Sequence, residues 1–169
     1  ETSAGGGVDE VRSSVSFVLG GNVENLTLTG SAAVNGFGNT LANVIAGNSA
    51  NNSLAGGAGA DTLDGKGGTD SFLYTSTADS TLAAMDHILG FTAGEKIDLS
   101  AIDASTGAAG NNAFAFIGSA AFSNTAGELR AYQSGSEWFV EADTDGDGVA
   151  NLIISVASDH ALAAGDFVF

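Results

Sequence analysis

The chain has no cysteine and no proline, and only 4 lysines and arginines stand against 20 aspartates and glutamates. Without thiols, disulfide staples and thiolate metal sites are excluded, and redox chemistry gives no clue to the compartment. A formal net charge of -16 disfavours nucleic acid, anionic lipid and polyanionic polysaccharide as partners and makes cations the natural ones. No run approaches ~18 consecutive apolar residues, so no segment is expected to span a membrane. The start, Glu1 rather than Met, has no basic stretch followed by an apolar one, which reads as a fragment boundary without a secretory signal peptide.

What the chain does have is 25 glycines. Together with abundant Asn, Ser and Ala they fit either a flexible linker or a repeat whose tight turns need positive φ. Periodicity decides for the repeat. Stepping by nine residues from Asn43 gives Asn52, Asp61, Asp70 and Asp79, and two residues beyond the first four stops lie Ile45, Leu54, Leu63 and Phe72. Each unit is a glycine-rich loop followed by a strand too short to bury its one apolar side chain alone, so the units must stack.

With two units per coil, loops 18 residues apart lie over each other. This predicts Asp61 on Asn43, Asp70 on Asn52, and Asp79 on Asp61. The fold class expected is all-β: a parallel β-roll over 38–80, strands over 1–37 that cover its open N-terminal end, and a β-sheet cap over 81–169. Phasing is lost around Val34–Gly38, where an irregular turn is expected. In the cap, alternating stretches such as "DHILGF", "ELRAYQ", "SEWFVEA" and "ANLIISVA" read as half-buried strands, with a hairpin turn at "QSGSE" and a short helix near 79–86.

Stacked Asp side chains repel, and the turns aim backbone carbonyls inward. Both features call for Ca²⁺, which takes 6 to 8 oxygen ligands and mixes carboxylates with carbonyls. The expected donors are Asn43, Asn52, Gly56, Ala58, Asp61, Gly65, Gly67, Asp70 and Asp79. Asn43 and Asn52 could equally form side-chain ladders without metal.

"GGAGADTLD" (56–64) matches G-G-x-G-x-D-x-U-x in full, and "GKGGTDSFL" (65–73) departs once, at Lys66. "GNTLANVIA" (38–46) and "GNSANNSLA" (47–55) keep the first glycine but put Asn at the acidic position. The phrase resembles the RTX nonapeptide repeat, whose β-rolls bind Ca²⁺. Further on, "DSFLYTSTADSTLAAMDHILGFTAGEKIDLSAIDA", "AFSNTAGELRAY" and "GDFVF" resemble the C-terminal domain of serralysin-type secreted proteases and other RTX exoproteins. The resemblance implies that acidic residues after the last roll turn, here Asp79 and then Asp86, close the last ion site; Asp86, two residues out of the nine-step phase, could equally cap a helix or face solvent. It also implies export through a type I ABC-transporter channel that reads an uncleaved signal, here Asp166, Phe167, Val168 and Phe169. A secreted, extracellular monomer is expected, joined to an upstream catalytic or adhesive domain.

A second acidic phrase, "DTDGDGVAN" (143–151), carries Asp143, Asp145, Asp147 and Asn151 at the spacing of the front of an EF-hand loop. The twelfth position is Ile154 rather than Glu, and the flanks alternate as strands, so a Ca²⁺-loaded or simply acidic hairpin turn is expected. His87 and His160 lie far apart in a chain with no HExxH, GxSxG or thiol, and read as ordinary surface or edge residues. No catalytic residues are expected. The leading function is a non-catalytic, Ca²⁺-dependent folding and export module of a larger secreted protein. A Ca²⁺-dependent surface-attachment or glycan-binding module is the alternative; Tyr132 and Trp138 could stack on a sugar, although aromatics at alternate strand positions more often belong to the core.

Overall fold

The computed structural model describes residues 7–169. Fifteen short strands follow along the chain: β1 (Glu10–Ser13), β2 (Phe17–Val18), β3 (Asn25–Leu28), β4 (Gly36–Phe37), β5 (Val44–Ala46), β6 (Ser53–Ala55), β7 (Thr62–Asp64), β8 (Ser71–Leu73), β9 (Asp86–Phe91), β10 (Lys96–Asp98), β11 (Ala115–Phe116), β12 (Glu128–Ser134), β13 (Glu137–Asp143), β14 (Leu152–Ser158) and β15 (Phe167–Val168). Odd and even strands of the first ten alternate between two sheets. One sheet runs β1-β3-β5-β7-β9-β14-β13-β12-β11, the other β15-β10-β8-β6-β4-β2. Every pairing from β1 to β10 is parallel and skips one strand, so two units make one coil. The chain is an all-β parallel roll.

The roll's core is one residue thick on each sheet. Register aligns Leu26, Ile45, Leu63 and Ile88 in one column and Leu54, Phe72, Ile97 and Phe167 in the other; all eight are buried. This is why a three-residue strand suffices: its middle side chain points inward and the rungs above and below cover it. At Gly36 the second column lacks a side chain, and a Cβ there would stand 3.0 to 3.3 Å from Leu26, Ile45 and Leu54 side chains. The break in phasing around Val34–Gly38 is thus a rung whose core place is filled by its neighbours.

Two expectations change. The strands before residue 38 are further parallel rungs of the same two sheets, with β3 paired to β5 and β4 to β6; residues 1–6 of that segment lie outside the described residues. The short helix expected near 79–86 is instead one 3-10 turn at Thr77–Asp79, capped by Ser76 and closed by the Asp79 carboxylate. Beyond the roll, β9 carries β14 in parallel, and β12, β13 and β14 form an antiparallel meander over a core of Leu129, Val140, Leu152, Ile154 and Val156. The expected hairpin joins β12 to β13 with Ser134 opposite Glu137 and Gly135 at φ 66. Among the described residues no helix is long and apolar enough to cross a membrane.

Candidate metal centre

Loops that carry the chain from one sheet to the other gather on two edges of the roll. Residues 38–43, 56–61 and 74–85 form one edge; 47–52, 65–70 and 92–95 form the other. Where each loop enters its strand, the register stacks Asn43, Asp61 and Asp86 on the first edge and Asn52, Asp70 and Glu95 on the second. Asp61 Oδ1 accepts the Asn43 N–H at 2.7 Å, Asp86 Oδ1 accepts the Asp61 N–H at 2.9 Å, and Asp70 Oδ1 accepts the Asn52 N–H at 2.7 Å. One oxygen of each Asp therefore closes the backbone of the rung before it.

The other oxygen is left over. Oδ2 of Asp61, Asp70 and Asp86 is buried without a hydrogen-bond partner among the described residues. Burial is the main cause that pushes Asp61 up to about 6, Asp86 to about 8 and Glu95 to about 7, and it raises Asp70 as well. The neighbouring carboxylates add to this: Asp61 and Asp79 act on Asp86, and Asp70 on Glu95. No basic side chain offsets these charges. Lys66 reaches Asp64 at 2.6 Å, Arg130 reaches Glu141 at 2.6 Å, Arg12 reaches Glu10 at 3.5 Å, and Lys96 donates to the Gly165 carbonyl. A row of buried carboxylates without a counter-charge is costly unless a cation or protons accompany it.

Glycines leave the room. A Cβ on Gly56 would stand 2.1 Å from Asp61 Oδ2, and one on Gly65 would stand 2.2 Å from Asp70 Oδ2. Gly57 (φ 91) and Gly59 (φ 130) lie against the Asn39 and Leu41 carbonyls of the loop one coil earlier, where a Cβ would approach each oxygen to 2.4 Å. The atoms left without a partner between stacked loops are carboxylate oxygens, with carbonyl oxygens close by, a donor set that suits a hard cation of the Ca²⁺ class and no soft metal. The residues present fit that ion.

The amide rungs are built differently. Asn43 Oδ1 accepts the Asn39 N–H at 2.8 Å while its Nδ2 donates to the Val23 and Glu24 carbonyls at 3.1 and 3.2 Å. Asn52 repeats this with Asn48 N–H at 2.9 Å and the Val34 carbonyl at 2.6 Å. An NH₂ group donates to the carbonyls of the preceding coil, so these rungs stack without needing a charge between them.

The serralysin C-terminal family model of the M10 peptidases matches residues 11–169, nearly the whole chain. The chain belongs to that family. Its fold is also that of a solved relative, the solution structure of the AlgE6R2 subunit from the Azotobacter vinelandii mannuronan C5-epimerase, with TM-score 0.60 and 22% identity, covering 100% of this chain and 96% of that one. At that identity the likeness carries the fold alone. No curated protein gives a significant match. The serralysin C-terminal chain is thus a β-roll whose RTX-type repeats are of the calcium-binding kind.

The remaining expected donors fall as follows. Gly56 and Gly65 are buried, and Ala58 and Gly67 are half-buried in the same loops. Asp79 does not stack on Asp61; the place belongs to Asp86, fully buried, 25 residues beyond Asp61. The loop between β8 and β9 is longer than its predecessors, and Asp79 Oδ2 is used to accept the N–H groups of Thr75 and Ser76 at 2.7 and 3.0 Å. Buried Tyr74 lies beside Asp86, and burial pushes its hydroxyl up.

In the 143–151 turn, ligand atoms of Asp143, Asp145 and Asp147 lie within 4.8 Å of one another. Asp143 is already the hub of that turn: its carboxylate accepts the N–H groups of Gly146 at 2.7 Å and Gly148 at 2.8 Å, and Asn151 Oδ1 turns back onto Thr144 N–H at 2.6 Å. His87 Nε2 lies 3.9 Å from Glu137, and His160 sits between Asp159 and Asp166.

The residue that the nine-residue count missed is Glu95. Asp86 and Glu95 are nine residues apart, as are Asp61 and Asp70, and Ile88 and Ile97 follow two residues beyond. Restarting the count after the long loop recovers the two last positions of both columns.

Proposed function

We propose that this serralysin-type module binds several Ca²⁺ ions between stacked loops and that, at neutral to alkaline pH, it folds only when it does so. The carrying observation is the set of buried, unpartnered carboxylate oxygens on Asp61, Asp70 and Asp86, with every lysine and arginine engaged elsewhere. The ions would be held by Asp61, Asp70 and Asp86, with Asp79 contributing charge and carbonyls of the 56–61 and 65–70 loops completing the shell; Asn43 and Asn52 would help as neutral neighbours. The 143–151 turn would be an outlying, weaker site. Each ion that binds only the folded state adds RT ln(1 + [L]/Kd), about 1.4 kcal/mol at ten times Kd. Several extracellular-grade sites, with Kd of about 10⁻⁴ to 10⁻³ M, make folding switch-like.

In this reading the module is the non-catalytic C-terminal part of a larger secreted protein, unfolded where free Ca²⁺ is scarce and folded outside the cell. A type I ABC-transporter would read Asp166, Phe167, Val168 and Phe169 in the unfolded chain. The fold supports that order of events: Phe167 is buried, pairs with Ile97 and packs against the tilted Phe116 ring at 5.3 Å, so the folded roll withholds part of the signal. The test is circular dichroism of the metal-stripped chain through a Ca²⁺ titration, with Mg²⁺ as control. Strand signal should appear cooperatively with Ca²⁺ only; a full strand signal in chelator at neutral to alkaline pH would overturn the proposal.

One observation favours surface attachment as a second reading. On the outer face of β12 and β13, Tyr132 stacks on Phe139 at 5.7 Å, and Arg130 lies over the Phe122 ring at 4.6 Å and the Tyr132 ring at 5.0 Å. Such half-exposed aromatics suit the faces of neutral sugars. Glycan-array binding that needs Ca²⁺ and is lost in Tyr132→Ala would support it; an array without signal would end it.

A further inference from the structure

We propose that the open N-terminal end of the roll is a self-association surface, on which a second copy of this chain docks with β1 against its own copy in an antiparallel, two-fold dimer. The inference is independent of the ion sites and replaces the monomer expected from the sequence. The two ends of the roll differ. At the far end the first sheet continues from β9 into the β14-β13-β12 meander. At the near end β1 and β2 are the last strands of their sheets, each paired on one side only among the described residues, with β3 and β4. A stack of rungs needs a polar terminal unit to stay apart from other molecules, yet here Val8, Val15 and Val18 are 78%, 63% and 65% exposed. An uncovered strand edge with apolar neighbours is a template for another strand.

Direction follows from geometry. A copy that approaches end to end runs its β1 the opposite way, so the pairing is antiparallel; a head-to-tail approach meets the meander instead, and the contact closes as a dimer rather than a fibre. Register follows from charge. β1 reads Glu10, Val11, Arg12, Ser13, and centring the pairing on Val11 sets Glu10 opposite Arg12 of the second copy and Arg12 opposite its Glu10. Val11, in register with buried Leu26, packs against the core, while the Glu10 and Arg12 side chains are 44% and 65% exposed on the outer face. Opposite charges directly across a ladder attract and like charges repel.

Arg12 is also the basic side chain that is held most loosely in an ion pair. Its contact with Glu10 is 3.5 Å long, whereas Lys66 and Arg130 hold their carboxylates at 2.6 Å. In a chain of net charge -16 with only 4 lysines and arginines, one of the few positive charges thus stands where two copies meet. The same two-fold axis, running across both sheets, carries β2 onto its own copy and covers half-buried Phe17. One four-residue and one two-residue strand from each copy make a small contact, so the dimer belongs to the weak class that buries less than about 1,200 Å².

Sedimentation velocity of the whole chain, folded in saturating Ca²⁺, should show monomer and dimer in equilibrium with Kd on the order of 10⁻⁵ to 10⁻⁴ M. Arg12→Glu sets acid against acid twice and Glu10→Arg sets base against base twice, so each variant alone should associate at least ~10-fold more weakly. Mixed in equal amounts, the two variants face each other with opposite charges, and the mixture should recover the association of the parent. The double exchange, Glu10→Arg with Arg12→Glu, keeps both charges and should dimerise as the parent does. Recovery on mixing separates charge pairing from damage to the rung, because damaged chains stay apart when mixed. A parent that remains monomeric up to about tenfold above that range of Kd overturns the proposal. So does a dimer that the single variants leave unchanged, or a loss that neither mixing nor the double exchange restores.

Discussion

In chelator, the melting temperature of this chain should fall steeply between pH 5 and pH 8, and acid should restore a roll that loss of Ca²⁺ abolishes. The sign follows from the carboxyls of Asp61, Glu95 and Asp86, raised by burial to about 6, 7 and 8 from 3.8, 4.5 and 3.8. A carboxyl whose pKa is higher folded than unfolded binds more protons in the native state, so stability drops as pH rises from the unfolded value through the folded one. Here that window runs from roughly 4 to 8. A tenfold change in an acid's ionisation constant corresponds to about 1.4 kcal/mol, so the summed loss is on the order of several kcal/mol, against a typical net stability of about 5–15 kcal/mol.

His160, raised mainly by its hydrogen bond to Asp159, acts in the same direction over its own range, but Ca²⁺ does not compensate it. With saturating Ca²⁺ the carboxylate share should vanish, because the ion takes the place of the protons; calorimetry in two buffers of different ionisation enthalpy should detect proton release on binding near pH 6 to 7. Melts at pH 5, 6.5 and 8, with and without chelator, decide the matter. Stability in chelator that is flat or rises with pH would refute the idea that these carboxylates are buried without a counter-charge.

The roll was legible in the sequence because its periodicity is enforced residue by residue. Ile45, Leu54, Leu63 and Phe72 recur because each three-residue strand has one inward place, and Asp61 and Asp70 recur because each loop must return to the same edge. Counting failed where the loop length changed. Residues 74–85 interpose a 3-10 turn, so Asp79 satisfies the count while its carboxylate caps that turn, and Asp86 and Glu95 resume the columns out of phase. The first rungs were hidden for a related reason: β1 and β3 pair 15 residues apart, β3 and β5 19 apart, and Gly36 stands where an apolar side chain is expected. Spacing that varies from coil to coil leaves no fixed step to find, although hydrogen bonding between rungs is unaffected. The partners of Asn43 and Asn52 were beyond sequence reading altogether, since whether an amide turns its oxygen or its NH₂ toward the preceding coil depends on carbonyls 18 to 20 residues away.

Replacing Phe72 by Ala should be the most damaging single change in the apolar core. Phe72 is fully buried, lies between Leu54 and Ile97 in its column, and packs on the Phe91 ring at 6.0 Å. Large-to-small changes of this kind cost about 3–5 kcal/mol, most where the surroundings cannot collapse into the gap. Collapse is blocked here because the backbone ladders above and below hold the rungs apart at the spacing of a β-sheet. The same ladders set the distance between stacked loops, so the defect should be felt at the ion sites as well. A tenfold increase in Ca²⁺ adds about 1.4 kcal/mol per unsaturated site, so a roll holding several ions should recover the deficit within roughly tenfold more Ca²⁺. Phe72→Ala should therefore fold with a Ca²⁺ midpoint shifted upward by about that factor and a lowered melting temperature. Leu82→Ala, at a position 81% exposed, should stay within about 0.5 kcal/mol of the parent. A Phe72→Ala midpoint indistinguishable from that of Leu82→Ala would mean that ion binding and rung packing are not coupled, and that the roll is held together by something other than the two columns and the cations at their edges.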